Sequence, residues 1–293
     1  MKIKASPSDR VFNVVNFLIA AFVLLITLYP FLYVVSASLS DPSALNRGEV
    51  WLFPKGINLE AYKTVLKNHE LWVDYYNTIW YVVVGTLINI VFTTLLAYPL
   101  SRRNMVGRNV ITILVAFTMF FGGGLVPVYL MVKNLHLLDT RWALVFPCLI
   151  NTWNMIIMRT FFVSIPESLH EAAVIDGANE FQILLKIVIA LSKPVLAVMV
   201  LFYAVAHWNT YFSALLYLNN ESYYPLQMFL RKIIVQFDMT SMTGGMGSDP
   251  MVQPIGESIR YATIIVSTLP ILCVYPFLQK YFAAGVMIGA IKE

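Results

Sequence analysis

Charge is scarce in this sequence. Of its 293 residues only 12% are Asp, Glu, Lys or Arg, while 59% are hydrophobic and the mean hydropathy is +0.71. A soluble domain carries roughly 25% charged residues, so an ordinary water-exposed globule is excluded. Uncharged runs locate the deficit. Val11–Ser40, Tyr75–Ser101, Asn109–Val132, Trp142–Met158, Pro194–Asn220 and Tyr261–Gln279 contain no Asp, Glu, Lys or Arg. Each is close to or beyond the ~20 residues that cross a ~30 Å hydrocarbon core as a helix. The fourth is the shortest, and Thr160–Ile165 extends it past Arg159. The pattern predicts an all-α integral membrane protein with six transmembrane helices in one domain, 1–293. Its spans lie at about 11–38, 76–100, 110–132, 142–162, 194–218 and 260–279.

Other absences narrow the chemistry. The two cysteines, Cys148 and Cys273, both fall inside predicted spans, so a disulfide framework is excluded and buried apolar thiols are expected. No G-x-x-x-x-G-K-[ST] phosphate loop occurs. Gly122-Gly123-Gly124 has no lysine at the required offset and reads as a flexible or closely packed part of a helix. There is no H-E-x-x-H, and His69, His136, His170 and His207 are scattered without metal spacing. No nucleophile elbow is present. The net charge of +4 includes no basic run with interleaved aromatics, so nucleic acid is not expected as a partner. His207 and Arg159 are the exceptions in spans otherwise nearly free of ionisable groups. Ion-coupled carriers place such groups at the midplane, so a self-powered carrier is disfavoured and the energy for any transport comes from elsewhere.

Lysine and arginine in short loops set orientation. Arg102, Arg103 and Arg108 crowd the loop after the second span, and Lys2, Lys4 and Arg10 precede the first. Residues 41–74 spread four basic residues among five acidic ones. An even number of spans then places both termini in the cytoplasm, with loop 163–193 and tail 280–293 beside them and loops 39–75 and 219–257 outside. The first apolar run is about twice the usual 7–15-residue core of a secretory signal, so no cleavage is expected after Ser36-Ala37-Ser38.

The loop between the fourth and fifth spans is unlike the rest. Ser164-Ile165-Pro166-Glu167 carries a capping residue, a proline in the first turn and a glutamate three residues after the serine, which together signal a helix start. Leu169, Ala172, Ala173 and Ile175 form a low apolar face, with Glu167, Glu171 and Asp176 polar. Gly177 ends that helix in a left-handed conformation, and Asn179 with Gln182 starts a second. Phe181, Leu184, Leu185 and Val188 then repeat at helical spacing. An amphipathic elbow lying on the membrane is one reading. Alanines where a lipid-facing helix carries Leu, Phe or Trp favour another, insertion into a partner's cleft.

This stretch resembles a known signature. E-A-A, three residues, G, nine residues, then I-x-L-P is the cytoplasmic loop motif of permease subunits of bacterial ABC importers. Here it reads Glu171-Ala172-Ala173, Gly177 and Ile187, with Ile189 and Ala190 where Leu and Pro are usual. The absent proline implies a second helix running unkinked toward Pro194. Trp208-Asn209, Tyr224-Pro225-Leu226 and the tail from Gln279 to Ala290 agree with the carbohydrate-importer branch, on the side of the maltose-type second permease. Within it, Leu-Ser-Lys-Pro and Gly-Ala-Ile-Lys are most similar to permeases for acidic oligosaccharides such as alginate.

The resemblance implies a type I ABC importer permease fold in a bacterial inner membrane, with a homologous second permease, two ATPase subunits and a periplasmic or lipid-tethered solute-binding protein. ATP and Mg belong to the ATPases; the chain itself binds no cofactor and is not an enzyme. The helix bearing Pro166, Glu171, Ala172, Ala173, Asp176 and Gly177 is the expected ATPase contact, with Gly285 and Gly289 of the tail. Gly244, Gly245 and Tyr224 in the loop 219–257 are expected to meet the binding protein, or to belong to a disordered connector.

Sugar recognition needs aromatic faces and amides or hydroxyls. Asn151, Trp153 and Asn154 in the fourth span, with Trp208, Asn209 and Tyr211 in the fifth, offer both at membrane depth; interfacial anchoring or helix-to-helix hydrogen bonding are their other uses. An acidic substrate needs compensating positive charge, and Arg159 and His207 alone lie near the spans; a second permease could supply the rest, so the sequence neither proves nor excludes an acidic substrate. A polyol or a phosphodiester is the alternative substrate class, with an ion-coupled carrier further removed.

Overall fold

The computed structural model describes residues 7–242 and 252–290, and no strand occurs among them. In chain order the principal helices are α1 (Pro7–Leu39), α2 (His69–Ser101), α3 (Arg108–Phe120), α4 (Leu125–Asn134), α5 (Thr152–Val163), α6 (Glu167–Ile175), α7 (Glu180–Leu191), α8 (Lys193–Trp208), α9 (Leu226–Met242) and α10 (Val252–Ala290). Apolar segments in hydrocarbon must satisfy their own backbone polar groups, and a helix does so within one segment. Helix α1, α2 and Gly256–Val274 of α10 are each long and apolar enough to cross a membrane. Three bent pairs bring the number to as many as six.

The bends depart from simple runs of twenty residues. Helices α3 and α4 meet at 114°, Arg141–Cys148 and α5 at 51°, and α7 and α8 at 84°. The first break falls on the triple glycine, which is not a helix interior. Phe121–Gly124 leave the helix, Gly124 adopts φ +84°, and a side chain at Gly122 or Gly124 would meet open space. Close packing is therefore not what these glycines provide; Gly124 supplies a backbone angle that L-residues rarely adopt. Helix α7 is not the straight rod that the missing proline implies. It carries a π-helical turn at Leu184–Val188 and stops at Ser192. The one extra residue in a π turn shifts the helix face without a proline.

Contacts divide the chain into two units, Met1–His69 with Leu230–Leu269 and Glu70–Phe229 with Pro270–Glu293. In the first, α1 leaves Phe12, Phe17, Leu25 and Phe31 exposed along its length, as a helix facing lipid does. Its end is fixed by a small core of Ala37, Ala44, Leu45 and Val50, and Tyr33 packs edge-on against Tyr261 at 5.9 Å. Ser36 Oγ donates to the Leu52 carbonyl at 2.6 Å. Asp41 caps the short helix Pro42–Asn46, accepting from Ser43 N–H at 2.9 Å. The Ser43 hydroxyl and N–H bonds hold its carboxyl below the ordinary carboxylate value.

In the second unit, α2, α5 and α8 enclose a core of Ala97, Met155, Met158, Val195 and Met199. Residues 222–226 are pinned to the start of α2. Asn77 donates to the carbonyls of Ser222 and Tyr224 at 2.8 and 3.0 Å and accepts from Arg141 at 2.8 Å, while Tyr81 donates to the Tyr223 carbonyl at 2.8 Å. Neither cysteine is the buried thiol that its span position suggests. Both are free and exposed, because their helices leave them on outward or cavity-facing sides.

Candidate functional site

One cavity opens where the fourth span is broken. Between Cys148 and Thr152 the chain leaves helical geometry, which frees carbonyl groups that a continuous helix would have bonded. Asn89 of α2 takes two of them, donating to Cys148 O at 2.7 Å and Leu149 O at 2.8 Å. Both amide hydrogens are then used, so the amide oxygen faces His207 of α8 at 2.6 Å. That oxygen only accepts, so His207 Nε2 carries the proton. Across the break, Asn151 N–H donates to Tyr203 Oη at 3.2 Å, and Tyr203 shares a 2.7 Å hydrogen bond with Thr93. Asn151 also caps α5, its side chain accepting from Asn154 N–H at 3.1 Å.

Close approach makes this arrangement possible. A Cβ on Gly85 would lie 2.5 Å from His207 Nε2, so only glycine lets α2 and α8 meet with the imidazole between them. Replacing Asn89 by leucine is expected to leave two carbonyls and an imidazole N–H without their protein partners. Each orphaned group costs about 1–3 kcal/mol. The expected result is a lower unfolding midpoint for the detergent-solubilised chain; an unchanged midpoint would show that Asn89 does not hold the break.

The cavity measures about 450 Å³ and is lined by Asn151, Trp153 and Asn154 of the fourth span and Tyr203, His207 and Thr210 of the fifth. Ring faces, amides and hydroxyls thus share one wall, the combination that stacks and hydrogen-bonds a sugar. Among the described residues its lining contains no carboxylate, lysine or arginine. Three of the six residues expected here are in it. The other three are not: Trp208 packs edge-on against Tyr75 at 6.4 Å, Asn209 returns its amide to the Val205 carbonyl at 2.9 Å, and Tyr211 lies beside Phe212. Tyr203 and Thr210 were missed, although Tyr203 shares a face of α8 with His207 one turn on, and Thr210 follows just beyond the end of that helix.

The second feature is α6. Gly177 has φ +80°, Ala178 N–H donates to Ala173 O at 2.9 Å and Gly177 N–H to Val174 O at 3.0 Å, the paired bonds of a Schellman end. Asn179 and Gln182 form a reciprocal capping box that starts α7. The beginning of α6 differs from expectation. Pro166 is the capping position, and Ser164 closes the helix before it by donating to Phe161 O at 2.6 Å. Only Ala173 of the low apolar face is buried; Ala172 is exposed, Leu169 and Ile175 are 42% and 85% exposed, and Val174 next to them is 51% exposed. Apolar side chains on a helix that leaves the spans are a surface awaiting cover.

That helix is tied to the end of α2. Glu180 accepts from Tyr98 at 2.5 Å and meets His170 of α6 at 3.0 Å, while Glu167 pairs with Arg103 at 3.6 Å. Burial raises the Glu180 carboxyl, but the hydrogen bonds from Tyr98 and His170 outweigh it and hold the group below its ordinary value. Of the remaining expected contacts, Tyr224 has its carbonyl on Asn77, and Gly285 and Gly289 lie within α10, which continues to Ala290. Gly244 and Gly245 lie outside the described residues.

Broken spans around a cavity, joined to a capped surface helix, define a membrane permease of the ABC importer type. The chain belongs to the family of binding-protein-dependent transport system inner membrane components, whose pattern matches residues 89–288. It is 44% identical to Protein LplC of Bacillus subtilis (strain 168) over 287 residues, covering 98% of this chain and 97% of the relative. The polygalacturonan/rhamnogalacturonan transport system permease protein YtcP of the same organism is 40% identical over 289 residues, with 97% and 99% coverage. A chain in the crystal structure of a bacterial ABC transporter involved in the import of the acidic polysaccharide alginate matches with a TM-score of 0.87 and 38% identity, covering 96% of this chain and all of that one. The chain is thus a multi-pass permease subunit, of a class that is not itself catalytic.

Proposed function

We propose that this chain forms part of the translocation path of an ATP-driven importer for an acidic polysaccharide or its oligosaccharides, alginate being the leading candidate. The observation that carries the reading is the cavity at the broken fourth span, where Trp153, Asn151, Asn154 and Tyr203 present a ring and hydrogen-bonding groups with no carboxylate among the described lining residues. A negatively charged sugar entering it meets no like charge, and a homologous second permease supplies the balancing cations. The relatives that transport acidic or galacturonan polymers support the substrate class.

The exposed side of α6, around Glu171, Ala172 and Ile175, docks into an ATPase subunit on the cytoplasmic side, with Gly285 and Gly289 of the tail nearby. ATP and Mg bind to that ATPase pair and not to this chain. Both termini are cytoplasmic in the bacterial inner membrane. The segment held by Asn77, with Tyr224, faces the solute-binding protein, together with Gly244 and Gly245. ATP closure and the loaded binding protein bias one inward/outward equilibrium.

The test is uptake of defined alginate oligosaccharides by the complete importer in proteoliposomes. Trp153→Ala is expected to raise the half-saturating substrate concentration about tenfold, the loss of roughly 1.4 kcal/mol of stacking. Wild-type uptake of a neutral oligosaccharide in preference to the acidic one would contradict the substrate class, and uptake without ATP would contradict the mechanism.

A further inference from the structure

A second cavity, of about 720 Å³, lies where α2 ends; Pro166 and Glu167 at the start of α6 form one edge of it, and the transport reading assigns no role to its arginines. Its walls carry Arg102, Arg103, Arg108 and Arg159 against one carboxylate, Glu167. That carboxylate is a weak counter-ion. It is 3.6 Å from Arg103, whose side chain is 81% exposed, and exposed pairs contribute little. Glu180, outside this lining, also acts on Arg102 but is engaged by Tyr98 and His170.

Two of the four guanidinium groups, those of Arg159 and Arg102, are held in place. Arg159 donates Nε to Leu100 O at 2.8 Å, which fixes the group while its terminal nitrogens have no acceptor among the described residues. Arg102 lies with its guanidinium carbon 4.6 Å above the Tyr98 ring, and its Nε is buried without a hydrogen-bond partner. A buried donor left unpaired is costly, and four like charges around one cavity raise that cost further. An oxyanion with several acceptor oxygens relieves both, since a guanidinium matches phosphate in a two-pronged geometry.

We infer that this cavity binds a phosphate group at the membrane surface. The inference does not depend on the transported substrate. The cavity sits where a membrane-crossing helix ends and the next begins, the level at which phospholipid headgroups lie. Val163 and Ile165 line the same cavity, so an apolar wall adjoins the cationic one. A phosphodiester headgroup with its acyl chains fits that division, and inorganic phosphate shares only its polar half.

The experiment uses the full chain purified in mild detergent and two probes, phosphatidylglycerol and inorganic phosphate, with bound mass read by native mass spectrometry. The expected result is retention of phosphatidylglycerol over phosphatidylcholine, reduced about tenfold in Arg102→Gln/Arg108→Gln. Arg103→Glu, at an exposed position that folding tolerates, is expected to reduce it as well, while Arg47→Gln, outside the cavity, leaves it unchanged. Retention of phosphatidylglycerol that phosphate does not displace assigns the site to a headgroup. Retention of inorganic phosphate alone, lost in the same variants, assigns it to a soluble anion. Binding of neither probe above the variants' level would overturn the inference.

Discussion

Gly177→Pro is expected to abolish uptake while leaving the chain in the membrane at wild-type levels. Proline requires φ near −65°, whereas Gly177 sits at +80°, and it would delete the N–H that bonds the Val174 carbonyl at 3.0 Å. Both halves of the Schellman end are lost together, at a cost of about 3 kcal/mol or more. The damage stays local, because a side chain at Gly177 meets open space and the residues around it are exposed. What changes is the direction in which α6 presents Leu169, Val174 and Ile175. Gly177→Ala, with only left-handed strain of about 1–2 kcal/mol, is expected to fall between. Glu171→Lys reverses charge on the same surface without touching the turn, so it is expected to match the proline variant in uptake but not in local unfolding. Uptake assays with membrane fractions quantified by blot check this. Wild-type uptake in either Gly177→Pro or Glu171→Lys would contradict docking through α6.

Gly85→Ala is expected to give the largest loss of stability from a single added methyl group. The new Cβ would meet His207 at 2.5, 2.7 and 3.0 Å. Elsewhere the far end of a side chain swings aside, but here Asn89 holds the imidazole at 2.6 Å and Asn89 is committed to two carbonyls. Relief in one place therefore breaks the next contact, and overpacking of this kind costs about 1–3 kcal/mol. The unfolding midpoint in detergent should fall, and His207→Ala should restore part of the loss in the Gly85→Ala background, a coupling of about 0.5–3 kcal/mol. Equal stability of Gly85→Ala and the unaltered chain would show that α2 and α8 are not in the described contact.

These two glycines also mark what the sequence discloses. Gly177 is legible because its neighbours are local: a helix start, a low face and an Asn–Gln box lie within twenty residues of it. Gly85 is not, because its reason is a histidine far along the chain. The same holds for Asn89, whose partners lie 59, 60 and 118 residues away. Composition located the apolar runs but not their breaks. Gly122-Gly123-Gly124 looked like a helix interior, since nothing local says that the following residues turn through 114°. Ser164 had the right type and spacing for a cap, yet bonding back to Phe161 was equally available to its hydroxyl. In the cavity, Asn151, Trp153 and Asn154 were legible because they lie together in sequence. Trp208 and Asn209 have similar chemistry but do not line this cavity, Trp208 packing on Tyr75 and Asn209 bonding back to Val205, a distinction that depends on which helix packs against which.

The central claim is that this chain works as one subunit of an ATP-driven importer, joined to its motor through α6. Its most direct test is affinity purification of the chain from its native membrane in mild detergent, with companions identified by mass. The account predicts a second homologous permease and an ATPase carrying a phosphate loop, the ATPase lost on Gly177→Pro. Recovery of the chain alone, or only with copies of itself, would contradict it and return α6 to the role of an amphipathic elbow on the membrane surface.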